Sequence, residues 1–203
     1  MNKHTTAIIL IGYQNDYFAE DGILHPIIEE NAKTSNIIAN TTALLKSLPD
    51  GPTPIVISTP IVFTQNYQEL EEDAVGILQY IRQVGAFKAG KHGSETIPEL
   101  IAFGERIHYL PGKHGLNAFS NTYLQEFLIG ACIENVVLCG AVTSICIDST
   151  GRAAHERGYK VSVLSDCTSA RTTLEQEFYL RHIFPLYAEV LNSNQLIEKL
   201  GIN

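Results

Sequence analysis

The chain has 203 residues, 45% of them apolar, enough to bury a sizeable core, and it reads most simply as one domain over residues 1–203. Its formal net charge is −8, and no cluster of Lys and Arg offsets it, which argues against a nucleic-acid partner because phosphate binding needs such clusters. No apolar run is long enough to span a bilayer, so neither a membrane nor a nucleic acid is expected, and the expected partner is a small-molecule substrate or a protein.

In chain order, the first feature is the apolar run 6–11, which predicts a core strand. Behind Lys3-His4 it is too short for the apolar core of a signal peptide. A helical period follows at 35–48, a strand at 54–58 and a second helical period at 69–84. The stretch 84–94 contains Gly85, Gly90 and Gly93 with Lys88 and Lys91, and it predicts a mobile loop over a site. Within it, Gly85 to His92 nearly fits a phosphate-binding loop. However, His92 stands where a hydroxyl belongs, and a helix instead of a strand precedes it. Strands at 106–109, 135–139, 160–164 and 188–191 alternate with helices at 120–129, 144–157, 174–182 and 194–200. This alternation is the pattern of an α/β protein with a parallel six-stranded sheet covered on both faces.

Ligands of such sheets bind outside the carboxyl ends of the strands, so the residues just after each strand carry the candidate chemistry. After the fourth strand, Leu138-Cys-Gly-Ala-Val-Thr-Ser-Ile-Cys146 breaks at Gly140 and places Cys146 in the first turn of a helix. There the helix dipole and free backbone N–H groups stabilise a thiolate, the nucleophilic form. After the third strand, Lys113 reaches the same edge of the sheet. A lone Lys in a glycine-containing loop is more often a solvated charge, but an ammonium beside a thiol favours the thiolate and can shuttle a proton. Cys132 and Cys139 read as small core hydrophobes and Cys167 as structural. The four cysteines form no disulfide framework, so they are expected to be reduced, in a cytoplasmic setting. No G-x-S-x-G turn is present, and His155 falls about three helical turns beyond Cys146. The histidines lack ligand spacing, so neither a metal nor another cofactor is expected.

These residues bring the chain close to a known family. Ala7-Ile-Ile-Leu-Ile-Gly-Tyr-Gln14-Asn15-Asp16-Tyr17, Lys113 with Ala118-Phe119, Gly140-Ala-Val-Thr143 ahead of Cys146, and Arg157-Gly158-Tyr159-Lys-Val resemble the isochorismatase-like cysteine hydrolases, in the same order and over residues 6–192. That family includes nicotinamidases, N-carbamoylsarcosine amidohydrolase and biuret hydrolases. The resemblance implies a three-layer α/β/α, Rossmann-like fold and a homo-oligomer. It makes Cys146 the nucleophile that attacks an amide carbonyl and leaves a thioester for water to hydrolyse, with Lys113 as its charged partner. It also implies a cis peptide between Ala141 and Val142, and an oxyanion hole formed by the backbone N–H groups of Val142 and Cys146.

The chain departs from this pattern at one catalytic position. Where the family has an aspartate that accepts the thiol proton and passes it to the leaving group, this sequence has Gly12. Two consequences stay open: a Cys146–Lys113 pair that turns over slowly, or a nearby carboxylate, Asp16, Glu20 or Asp21, that takes over. A third reading is a catalytically impaired relative that binds a small molecule or partner in the same pocket. The segment 59–67 lacks the Asp and His cluster of the nicotinamidase branch, which disfavours that activity. True isochorismatases rely on the aspartate, so cleavage of a vinyl ether is also disfavoured.

Overall fold

The computed structural model describes residues 1–28 and 31–202, with backbone alone for 31–35. Six strands, β1 (Thr6–Ile11), β2 (Ile55–Thr59), β3 (Ile107–Tyr109), β4 (Asn135–Ala141), β5 (Lys160–Ser169) and β6 (Glu189–Leu191), form one sheet in the order β3-β2-β1-β4-β5-β6. Every neighbouring pair is parallel. All six residues of β1 and all seven of β4 are buried. That explains why both read as continuous apolar runs: a central parallel strand has no solvent face on which to alternate.

The helices are α1 (Asn15–Phe18), α2 (Asn31–Ser47), α3 (Gly76–Val84), α4 (Pro98–Ile101), α5 (Leu124–Gly130), α6 (Asp148–Glu156), α7 (Thr173–Phe178) and α8 (Ser193–Leu200). They flank the sheet, α2 and α8 packing on each other and on β5, and α6 also packing on β5. The arrangement is the expected three-layer α/β/α fold. The chain runs outward from β1 to β3 on one side and from β4 to β6 on the other. The reversal falls between β1 and β4, and a crevice at that point is where open parallel sheets bind ligands.

β1 and β4 approach unusually closely where Ile11 pairs with Gly140. Gly140 has φ +123, and a β-carbon there would sit on the Ile11 carbonyl oxygen, well inside contact distance. Glycine alone satisfies both demands. β4 therefore continues past 139 to Ala141. β5 runs on to Ser169 through a register jump in which Leu138 faces Val163 but Gly140 faces Thr168, so Cys167 lies inside a strand.

Several expected helices are shorter. The segment 69–75 is not helical: the Glu69 carboxylate accepts the backbone N–H of Thr64 at 3.0 and 3.1 Å, and Gly76 enters α3 with φ +64. Residues 120–123 precede α5 because the Asn117 side-chain oxygen accepts the N–H groups of Phe119 and Ser120. Such local side-chain bonds compete with the helix. The helix expected over 144–157 begins as a π-helical turn, Thr143–Ile147, before α6. The stretch 84–94 is tied into the molecule: Phe87 is wholly buried, and Phe63 exchanges two backbone hydrogen bonds of 2.8 Å with Phe87 and Ala89. Cys132, expected in the core, is exposed in the turn after α5, with φ +53.

Candidate active site

Lys113 is fully buried. It follows Gly112, whose φ of +105 lets the chain turn in behind β3, and its backbone bridges to Ile61 in parallel fashion beyond β2. Its ammonium donates to the Gly115 carbonyl at 2.6 Å and to Cys146 Sγ at 3.5 Å. A buried ammonium is costly unless charge or hydrogen bonds compensate it, and here the compensating groups are one carbonyl and one sulfur. Cys146, 4% exposed, stands in the π-helical turn at the carboxyl end of β4. Deviations of this kind inside helices are frequent at functional sites.

The turn that carries Cys146 is firmly held. The Ala141–Val142 peptide is cis, and the Val142 carbonyl accepts the N–H groups of Ile145 and Ile147 at 3.0 and 3.2 Å. Thr143 Oγ1 donates to Gln176 Oε1 at 2.7 Å, and Gln176 Nε2 donates to the carbonyl and hydroxyl oxygens of Thr168 at 3.2 and 3.1 Å. All three side chains are buried. Sequence reading missed this relay, because nothing local links a helix glutamine to a turn 33 residues earlier. Gln14 performs the matching task on the other side. Its side chain exchanges two hydrogen bonds with the Ile61 backbone, at 2.7 and 2.8 Å, and donates to the Ser94 carbonyl at 2.7 Å. The end of β1 is thereby joined to the segment that bridges to Lys113.

Gly12 sits at the end of β1 with φ +73. Of the three carboxylates considered as replacements, Asp16 is buried, but its Oδ2 accepts the Phe87 N–H at 2.5 Å and its carboxylate packs against Gly93. It anchors the 84–94 stretch and is not free to swing to the thiol. Glu20 and Asp21 are exposed. Burial pushes the Tyr17 phenol well above its usual range, and the nearby charges of Cys146 and then Asp16 add to the effect. Cys139 and Cys167 form a separate buried group with Tyr13. There burial, followed by the neighbouring Cys167, raises the Cys139 thiol.

Two cavities, of about 470 and 560 Å³, share Ile77, Ile145 and Arg171 and so border the Cys146 turn. The arginines there are already paired, Arg171 with Glu175 at 3.0 Å and Arg152 with Asp148 at 2.9 Å. Among the described residues, no group of three or more His, Cys, Asp and Glu is placed to hold a metal.

Residues 6–195 match the isochorismatase domain model. The chain belongs to the isochorismatase family. It is 32% identical to YwoC, an uncharacterized isochorismatase family protein of Bacillus subtilis (strain 168), over 108 residues that make up 53% of this chain. The chain spans about half the length of that relative, 56%. It is 25% identical to nicotinamidase 3 of Arabidopsis thaliana over 98% of this chain and 90% of that protein. A cysteine hydrolase from Pseudomonas syringae pv. phaseolicola 1448A superposes with a TM-score of 0.84 at 21% identity, covering 99% of this chain and 94% of the other.

Proposed function

We propose that this family member hydrolyses a small amide or related C–N bond through Cys146 assisted by Lys113. One observation carries the reading: a fully buried ammonium 3.5 Å from a thiol, at the point where the strand order of the sheet reverses. The ammonium stabilises the thiolate by charge, and the low dielectric around it strengthens the effect. The thiolate attacks the carbonyl carbon, the C–N bond breaks with release of ammonia or an amine, and water hydrolyses the thioester. The backbone N–H groups of Val142 and Cys146 are assigned to the developing oxyanion. Because Arg171 and Arg152 at the cavity rim are neutralised by their own carboxylates, the substrate class that fits best is an uncharged small amide. The same reading takes residues 1–203 as one domain acting without a metal, in the cytoplasm and as a homo-oligomer.

A second reading, a binding protein with little turnover, is favoured by Gly12 alone. A panel of small amides separates the two. Turnover above about 1 s⁻¹, the low end of ordinary enzymes, that disappears in Cys146→Ala supports the hydrolase. Binding without turnover, or turnover that survives Cys146→Ala, sinks it.

A further inference from the structure

Position 12 has no room for a side chain. A β-carbon on Gly12 would lie 2.7 Å from the Ala141 carbonyl oxygen and 3.4 Å from Cε2 of Tyr17. The first wall is the residue that leads into the Cys146 turn, and the second is the edge of a tyrosine ring. That ring is 2% exposed and fixed from several sides. Its centroid is 5.2 Å from Phe87 and 6.4 Å from Phe18, and α1, which carries it, begins next to the anchored Gln14. Asp16, its immediate neighbour, is engaged by Phe87 and Gly93. The side chain that edges position 12, beside the thiol turn, is therefore that of Tyr17, and the nearest atom of its ring, Cε2, is the one next to the hydroxyl-bearing carbon.

We propose that the Tyr17 hydroxyl is the proton donor to the leaving nitrogen in this site, the task a carboxylate at position 12 would otherwise perform. The inference rests on the hydrolase reading above. The Cys146 thiolate adds to the carbonyl carbon. As the C–N bond breaks, the nitrogen takes the proton of Tyr17, leaving an acylated Cys146, a neutral amine and a phenolate. The phenolate then takes a proton from water, the hydroxide attacks the thioester, and the C–S bond breaks to return the thiolate and release the acid. Net consumption is one amide and one water. A phenol is protonated at neutral pH, as a donor requires, and burial with the charges of Cys146 and Asp16 moves it further in that direction. The Lys113 ammonium stays beside Cys146 throughout.

The test compares Tyr17→Phe with the wild-type protein on two substrates sharing one acyl group, an amide and its p-nitrophenyl ester. A poor leaving group needs the donor, whereas nitrophenolate leaves without it. The expected result is a loss of about 10²- to 10⁴-fold in kcat on the amide, typical of removing a general acid, with less than about tenfold loss on the ester. Retained ester turnover also shows that the variant is folded. Equal loss on both substrates, through packing or misfolding, overturns the proposal, and so does an unchanged amide rate. In either case the hydrolase reading stands if Cys146→Ala is still inactive. A wild-type protein that turns over neither substrate through Cys146 overturns both.

Discussion

The carboxyl ends of β4 and β1 lie side by side at the centre of the sheet, and they are built for different tasks. The β4 end is braced around one thiol, that of Cys146. Gly140 lets the strand press onto β1, the Thr143–Gln176–Thr168 relay fixes the turn, and Lys113 brings an ammonium to the sulfur. The β1 end has no side chain at Gly12, spends Asp16 on the backbone of Phe87 and sets the ring edge of Tyr17 at contact distance from where a β-carbon of position 12 would be. The difference teaches that the glycine at position 12 is more than an absent side chain. The backbone has taken a left-handed conformation, and its neighbours occupy the space a side chain would need.

Substitution at each end tests that contrast. The largest effect is expected for Gly140→Ala, whose β-carbon would strike the Ile11 carbonyl. Backbone on both sides leaves little to yield, so the loss should reach about 4 kcal/mol or more, read by denaturant unfolding. A loss under about 1 kcal/mol would show that β1 and β4 can separate without difficulty. A smaller loss, about 2 to 3 kcal/mol, is expected for Gly12→Asp, from φ +73 and the 2.7 Å approach to Ala141. Turnover in this variant should not exceed that of the wild-type protein. A stable Gly12→Asp with faster Cys146-dependent hydrolysis would show that position 12 can still accept a catalytic side chain, and the contrast would collapse.

The sequence displays much of the fold and half of the site. Uninterrupted apolar runs mark the central strands because burial on both faces leaves no other pattern. Strand and helix ends are less visible, since they depend on partners far along the chain: Gly140 on Ile11, the long β5 on its register jump. Helix starts shift where Glu69 and Asn117 bond to nearby backbone. Cys146 is conspicuous from the strand-to-turn break ahead of it. The burial of Lys113 is not, because a lysine in a glycine loop carries the same local signal whether solvated or enclosed. The anchoring of Asp16 is equally hidden: its partners Phe87 and Gly93 are more than 70 positions away. Nothing local in the sequence marks Tyr17; its nearness to position 12 comes from the fold.

The most direct test of the central claim, that Lys113 activates Cys146 without a third carboxylate, is the relative rate of iodoacetamide labelling of the four cysteines at neutral pH, followed by mass spectrometry. The account predicts that Cys146, although 4% exposed, labels ahead of the exposed Cys132. In Lys113→Ala its rate should fall about tenfold or more while that of Cys132 is unchanged. Labelling of Cys132 first, with Cys146 reacting only on unfolding and indifferent to Lys113, would contradict it.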